Sequence, residues 1–300
     1  MSYAVFYELI LKYDLIYLFT HQHPDADGLN AQKAVLKYID INYPRKEVYL
    51  VDDEDYEVKA GSLAIVLDCA NRKRIFSHNY EKAECILTVD HHIQGKSFAD
   101  HEIIDHQAVA TCEILADIFF SKDESINKEI AHHLYLGLVD DSQNFTIPAT
   151  NANTLSVASK LLACGVDIYD VTSEQFAISL REFNFLTFLR SVATIEDGLL
   201  YLKLSKALVE GMGVTMDFAK EGIREFKNVR EALICAVFYE GDNGLYNVSL
   251  RSKNIVLLDT VRNYGGGGHP LACGIKEIDE SNQDNLIIDL KTLIKENTPK

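Results

Sequence analysis

Within the first ninety residues, four strand-sized apolar segments each run straight into an acidic or histidine-bearing cluster, and this alternation constrains the fold most. Residues 15–19 lead to His21, Asp25 and Asp27, residues 47–51 to Asp52 and Asp53, residues 63–67 to Asp68, and residues 85–89 to Asp90, His91 and His92. Helical patterns over 4–13 and 29–40 flank the first of them. Strands alternating with helices predict a mostly parallel sheet. In such open α/β sheets ligands bind beyond the carboxyl ends of the strands, where these clusters lie.

Beyond residue 108 the pattern turns helical, over 108–120, 127–139, 151–162 and 179–192. The period then changes to two, with strands expected at 199–204, 232–239 and 245–251, and a last helix at 282–296. The expected fold class is α/β: an N-terminal parallel-sheet domain with helices on both faces over residues 1–190, ending in a helical linker, and a smaller C-terminal α/β domain with a mixed sheet over 191–300. A length of 300 residues and a hydrophobic fraction of 47% are enough for two cores.

The longest apolar runs, 63–67 and 233–239, fall far short of the roughly 20 residues that a membrane helix needs. The N-terminal run lacks a basic flank and a small-residue cleavage site, so a cytoplasmic protein without a membrane partner is expected. A net charge of -16 disfavours a grip on long nucleic acid, which needs a continuous basic surface. Small anionic substrates stay compatible, because a metal pair and one or two arginines make a local positive site. The six cysteines are scattered, form no C-x-x-C pair and read as buried reduced thiols.

His21-Gln22-His23-Pro24-Asp25-Ala26-Asp27 places three hard or borderline metal ligands within seven residues of loop. Taken alone, the segment reads equally well as a polar loop capping the next helix. A calcium EF-hand fails, because frames starting at His23 or Asp25 put Ala34 or Leu36 where the bidentate glutamate belongs. A single Asp68 at a strand end is weak evidence, whereas Asp90-His91-His92 at another is rarer, and Asp141 follows an apolar helical stretch. Imidazole with carboxylate suits manganese, iron or zinc better than calcium, and clusters without cysteine argue against structural zinc. His132 and His133 fall on an amphipathic helix and read as structural or solvated.

In this order the residues resemble the four N-terminal motifs of the DHH phosphoesterase superfamily. His21 to Asp27 match the first, Asp68-Cys69-Ala70-Asn71 the second, Asp90-His91-His92 the name-giving third, and Asp141-Ser142-Gln143-Asn144-Phe145 the fourth. Leu250-Arg251-Ser252-Lys253 and Gly265-Gly266-Gly267-Gly268-His269-Pro270 resemble its associated C-terminal substrate domain. By length the chain is most similar to the stand-alone nanoRNase and pAp phosphatase branch, pAp being adenosine 3',5'-bisphosphate. The resemblance implies two divalent metals, most often manganese, one on His21, Asp25 and Asp68 and the other on Asp27, Asp68, His91 and Asp141. Asp68 would bridge them, His92 would face the substrate and Asp90 would orient His91. Relatives usually continue the first motif with Gly-Ser, where this chain has Asn30-Ala31, and carry Gly-Arg where it has Gln143-Asn144.

Four glycines alone usually mean a flexible loop, and this run lacks the Lys-Ser/Thr ending of a Walker loop. Beside Arg251, Gly266, Gly267, Gly268 and His269 read as a phosphate grip, since glycine amides can approach an anion and guanidinium binds phosphate bidentately. Lys253 reads as solvated. The expected activity is hydrolysis of short oligoribonucleotides, of linear or cyclic dinucleotides such as pApA and cyclic di-AMP, or of pAp. The alternatives are a manganese pyrophosphatase and a nucleotide-binding sensor without turnover. Homodimers are common among the proteins it resembles.

Overall fold

The computed structural model describes residues 3–69, 71–92 and 96–298; Ala70 of the second motif lies outside them. The chain separates into two compact units, Met1–Ala177 and Ile178–Lys300. In chain order the first unit holds α1 (Ala4–Lys12), β1 (Leu15–Phe19), α2 (Ala26–Asn42), β2 (Glu47–Leu50), β3 (Leu63–Leu67), β4 (Cys85–Asp90), β5 (His101–Ile104), α3 (Thr111–Phe120), α4 (Lys128–Asp141), α5 (Ala152–Ala163) and α6 (Ile168–Phe176).

Its sheet has the order β2-β1-β3-β4-β5 with every neighbouring pair parallel. β3, Leu-Ala-Ile-Val-Leu, is buried at every position, as an interior parallel strand covered on both faces must be. One face packs the α-helices, through Phe6, Ile10, Val35, Tyr38, Leu115 and Phe119 among others. Tyr17, Phe19, Val58, Ile75 and Tyr80 close the opposite face, where loop segments and the short 3-10 helices Arg72–Arg74 and His78–Lys82 do the covering. The strand order reverses at β1, so the loops leaving β1 and β3 part there and open a crevice.

The second unit contains α7 (Leu180–Val192), β6 (Thr194–Glu196), β7 (Leu199–Leu204), α8 (Lys206–Gly211), α9 (Met216–Glu221), β8 (Ile234–Glu240), β9 (Tyr246–Ser252), α10 (Leu258–Arg262), β10 (Gly267–His269), β11 (Ala272–Ile278) and α11 (Glu280–Asn297). α7 starts on a capping box, with the Ser179 hydroxyl accepting from Glu182 N-H and the Glu182 carboxylate accepting from Ser179 N-H. The sheet, β10-β11-β9-β8-β7-β6, is mixed: β7 and β8 are parallel and the other pairs antiparallel. α10 and α11 pack on one face through Val261, Leu286 and Leu290. On the other, Phe185, Leu189, Val209 and Phe226 cover β7 and β8, where Leu200, Leu202, Cys235 and Val237 point, and the 3-10 helix Gly222–Phe226 also reaches β9. Among the described residues all six cysteines are free and five are buried, and no helix is long and apolar enough to cross a membrane.

Candidate metal centre

The loop after β1 is pinned by backbone: Gln22 N-H donates to the Arg74 carbonyl at 2.6 Å, and His21 bridges to Ile75. His21 is buried, with Nδ1 2.9 Å from the Gln22 carbonyl oxygen. Its Nε2 is thereby left facing Asp25 Oδ1 at 3.7 Å and Asp68 Oδ2 at 3.5 Å. Asp25 caps α2, accepting from Gly28 N-H at 3.2 Å. One helical position separates it from Asp27, which is wholly buried in the first turn of α2.

Backbone groups hold Asp27. The first amides of α3 meet its carboxylate, Thr111 N-H at 2.7 Å from Oδ2 and Cys112 N-H at 3.0 Å from Oδ1. Amides at a helix start have no partner in their own helix, so the carboxylate caps α3 from a distant segment and sits at its positive dipole end. Burial nonetheless pushes its carboxyl well above the usual range, and Asp68 and Asp141 add to the rise. Close carboxylates that burial and mutual repulsion disfavour are what a divalent cation relieves.

Asp68 occupies a left-handed backbone conformation, φ 57°, at the end of β3 and is almost fully buried. Its two oxygens face different neighbours. Oδ2 faces His21, whereas Oδ1 lies 3.5 Å from His91 Nε2 and accepts the Thr111 hydroxyl at 3.1 Å. Burial alone would raise its pKa, but His21 and His91 outweigh that and hold the carboxyl below the carboxylate range. Asp141, at the C-terminal end of α4, brings Oδ2 to 3.1 Å from His91 Nε2. Burial pulls the His91 imidazole down, yet Asp141 and Asp68 more than reverse it, to about 11. Asp25, then Asp68, raises His21 to about 10.

Despite these short distances, His91 Nε2 is buried and makes no hydrogen bond. A ring nitrogen directed at two carboxylates without hydrogen-bond alignment is placed for an ion shared among them. Three groups each bring one ligand atom per residue within 4.8 Å of the others: His21, Asp25 and Asp68; Asp27, His91 and Asp141; and Asp68, Asp90, His91 and His92. The donors are carboxylate and imidazole, a set that fits manganese, iron or zinc.

Two glycines make room. A Cβ on Gly28 would lie 2.6 Å from Thr20 Oγ1 and 3.3 Å from Asp68 Oδ2, and one on Gly137 of α4 would lie 2.6 Å from Asp27 Oδ1. Asp90 departs from its expected role: its Oδ1 accepts from His92 N-H at 3.0 Å and lies 2.9 Å from His92 Nδ1, so it orients His92 and not His91. Adjacent strand-end residues point to opposite sides, and the turn after β4 brings His92 back over Asp90. Thr111 went unnoticed in the sequence, where it is one threonine at a helix start. Asn30 donates to the Ala26 carbonyl and lies 2.8 Å from His133 Nδ1, joining α2 to α4.

In the second unit, Arg251 of β9 pairs with Ala272 of β11, which pairs with His269 of β10. Residues directly opposite across antiparallel strands share a face, so Arg251 and His269 flank Ala272 on one side of the sheet. The glycine run is part of that sheet. Gly266 and Gly268 are demanded by packing, since a Cβ would strike the carbonyls of Gly274 and Ala272 at 2.5 Å, and Gly268 has φ 137°. Gly267 has open space around its Cα and is exposed. Lys253 is exposed, as expected of a solvated lysine, and its Nζ also donates to the Val229 carbonyl at 2.6 Å and the Arg230 carbonyl at 3.2 Å.

Two family descriptions match the chain: "DHH family, N-terminal domain" over residues 15–138 and "DHHA1 domain" over residues 197–296. A probable bifunctional oligoribonuclease and PAP phosphatase NrnA of Streptococcus mutans is 28% identical, covering 95% of this chain and 97% of its own. The bifunctional oligoribonuclease and PAP phosphatase NrnA of Bacillus subtilis is also 28% identical, over 96% and 97%. In fold, the chain is similar to the crystal structure of an exopolyphosphatase-related protein from Bacteroides fragilis, with a TM-score of 0.84 at 18% identity, covering 98% and 97% of the two chains.

Proposed function

Because the chain is a DHH-family N-terminal domain followed by a DHHA1 domain, and so a hydrolase of phosphoester bonds, we propose that it uses two divalent cations, manganese by preference, to cleave short oligoribonucleotides and pAp. One observation carries the reading: Asp68 turns one oxygen toward His21 and the other toward His91, between the groups His21-Asp25-Asp68 and Asp27-His91-Asp141. A carboxylate so placed is suited to bridge two ions. The first group would hold one cation, and the second, with Asp68, the other.

Bound there, the metal pair would supply a water acidified for attack and a positive seat for the phosphoryl oxygens. The chain's own residues do the positioning. Thr111 donates to Asp68 and fixes its rotation, while the start of α3 holds Asp27. His92, half-exposed and braced by Asp90, is free to donate to a leaving or non-bridging oxygen of the substrate. In the second unit Arg251 and His269 share a face on which a substrate phosphate can be gripped, with Gly267 adding no side chain beside them.

The test is a panel of pAp, adenosine oligoribonucleotides, pApA, cyclic di-AMP and pyrophosphate, supplied with manganese and resolved by chromatography. Release of mononucleotide from the oligoribonucleotides and of phosphate from pAp is expected. Phosphate released from pyrophosphate alone would overturn the nucleotide reading.

A further inference from the structure

The sheet face that carries Arg251 and His269 continues past them. β9 over 247–251 and β11 over 272–275, ahead of a bulge at Lys276 and Glu277, alternate: Val248, Leu250, Cys273 and Ile275 are buried against α10 and α11, so Asn247, Ser249 and Arg251, with Ala272 and Gly274, point the other way. The segments covering that side centre on β7 and β8, with the 3-10 helix Gly222–Phe226 also reaching β9. Behind the Arg251-Ala272-His269 row comes a second row, Ser249-Gly274-Gly267, nearly free of side chains. A Cβ on Gly267 would meet nothing within 4 Å, and one on Gly274 only the Val248 carbonyl at 3.6 Å, so neither glycine is required by packing or by a positive φ.

Beyond this floor, at the turn joining β8 to β9, lies a cavity of about 850 Å³ lined by Tyr239, Asn243, Asn247 and Lys276, with Val209 and Met216 giving apolar contact. It lies past the carboxyl ends of the parallel strands β7 and β8, where α/β sheets receive ligands. From Arg251 to Asn247 the strand advances roughly 13 Å at ~3.3 Å per residue, more than one nucleotide's reach. The two ends differ in charge. Arg251 and His269 stand at one, whereas four carboxylates, Glu210, Glu240, Asp242 and Glu277, line the cavity against three lysines, Lys206, Lys220 and Lys276, of which the first two are engaged: Lys206 with Asp242 at 2.8 Å, Lys220 with Asp217 at 2.8 Å.

We infer that this face is a track for an oligoribonucleotide: a phosphate sits at Arg251 and His269, the backbone crosses the Gly267-Gly274 floor, and the base and ribose of a further nucleotide enter the Tyr239 cavity. The excess of carboxylates disfavours a phosphate there, while carboxylates and amides accept base amino groups and ribose hydroxyls, and Tyr239, half-buried with Lys220 Nζ 5.5 Å over its ring, offers a base the part of its ring that stays exposed. The inference rests on the nucleotide reading above and deepens it, because it makes the second unit a sensor of substrate length.

Gly274→Val puts a β-branched side chain on the floor at a position with room for it. On the full chain with manganese, KM would be measured for pAp and for adenosine oligoribonucleotides of two to five residues. The variant is expected to raise KM for the trimer to pentamer by about tenfold, the order of one stacked base, and to leave pAp within about twofold. Lys276→Ala, at an exposed position on the cavity rim, should give the same split more weakly, and it serves if thermal melting shows Gly274→Val to be misfolded. Equal effects on pAp and pentamer, or none on either, would overturn the track while leaving the activity intact. A wild-type chain that cleaves no oligoribonucleotide would overturn both readings.

Discussion

Asp68 is the residue on which both halves of the centre depend, since each of its oxygens faces a different histidine. Asp68→Ala should lower kcat by at least about a thousandfold, whereas Arg251→Ala should leave kcat near wild type and raise KM about tenfold, as expected of a group that binds without reacting. Activity of the Asp68 variant comparable to wild type in manganese would sink the assignment. The histidines make a second prediction. With pKa values raised to about 10 and about 11, His21 and His91 carry protons at pH 7, while a ligating imidazole must be neutral. Metal binding should therefore expel a proton from each ring, read as a calorimetric heat that changes with the buffer's ionisation enthalpy; identical heats in all buffers would contradict it. The sign for the metal-free fold follows. Both folded values lie above the ordinary 6.5, so the stability these pairs contribute is complete below pH 6.5 and is lost as pH rises through 10 to 11. Gln143 makes a third. It begins a run of three left-handed residues, Gln143, Asn144 and Phe145, with φ 47°, 57° and 62°. A Cβ in this conformation costs about 1 kcal/mol. Gln143→Gly should stabilise the chain by roughly that amount in urea denaturation.

At the level of elements, the centre is as much a property of α3 as of the strand ends. Thr111→Val removes the hydroxyl that Asp68 accepts but keeps the amide that Asp27 accepts. It should weaken manganese binding about tenfold in a chelator competition, with Thr111→Ser close to wild type, since outer partners of ligands typically contribute that much. Equal affinities for both variants and wild type would show the hydroxyl to be idle. Nothing in the chain marks Thr111, because its partner Asp27 is 84 residues away and only the fold joins them. The strand-end clusters, by contrast, were readable as sequence: β1, β3 and β4 are short apolar runs, and the candidate ligands right after them fall at one end of the sheet. β5 was missed because it is an edge strand whose His101 and Glu102 are exposed, so it shows neither an apolar run nor clean alternation. β10 and β11 were missed for a different reason. Glycines that read as a loop are there to let two strands approach, with Gly266 and Gly268 facing backbone. That Asp90 braces His92, where His91 was expected, depends on the turn geometry that sets which imidazole reaches back.

Over the whole molecule, every candidate metal ligand belongs to Met1–Ala177, and the two units have separate hydrophobic cores. Without cations the first unit keeps Asp27, Asp68 and Asp141 close together in a buried site, with Asp27 and Asp141 both displaced toward their neutral forms. The second unit bears no such burden. Its ion pairs, such as Lys203 with Asp284, lie at the surface and contribute little. Cations that bind only the folded first unit stabilise it by mass action, about 2.7 kcal/mol per site at a hundredfold excess over Kd. For a domain of this size that is roughly 5 to 10 °C in Tm. Calorimetry of chelated protein should then resolve two transitions, and manganese should move only one. Hydrogen exchange identifies which: added protection is expected in α2, β3, β4 and the start of α3, and none in β8, β9 or β11. If manganese instead protected both units equally, they would unfold as one cooperative body, and the independence of their cores would have no thermodynamic meaning.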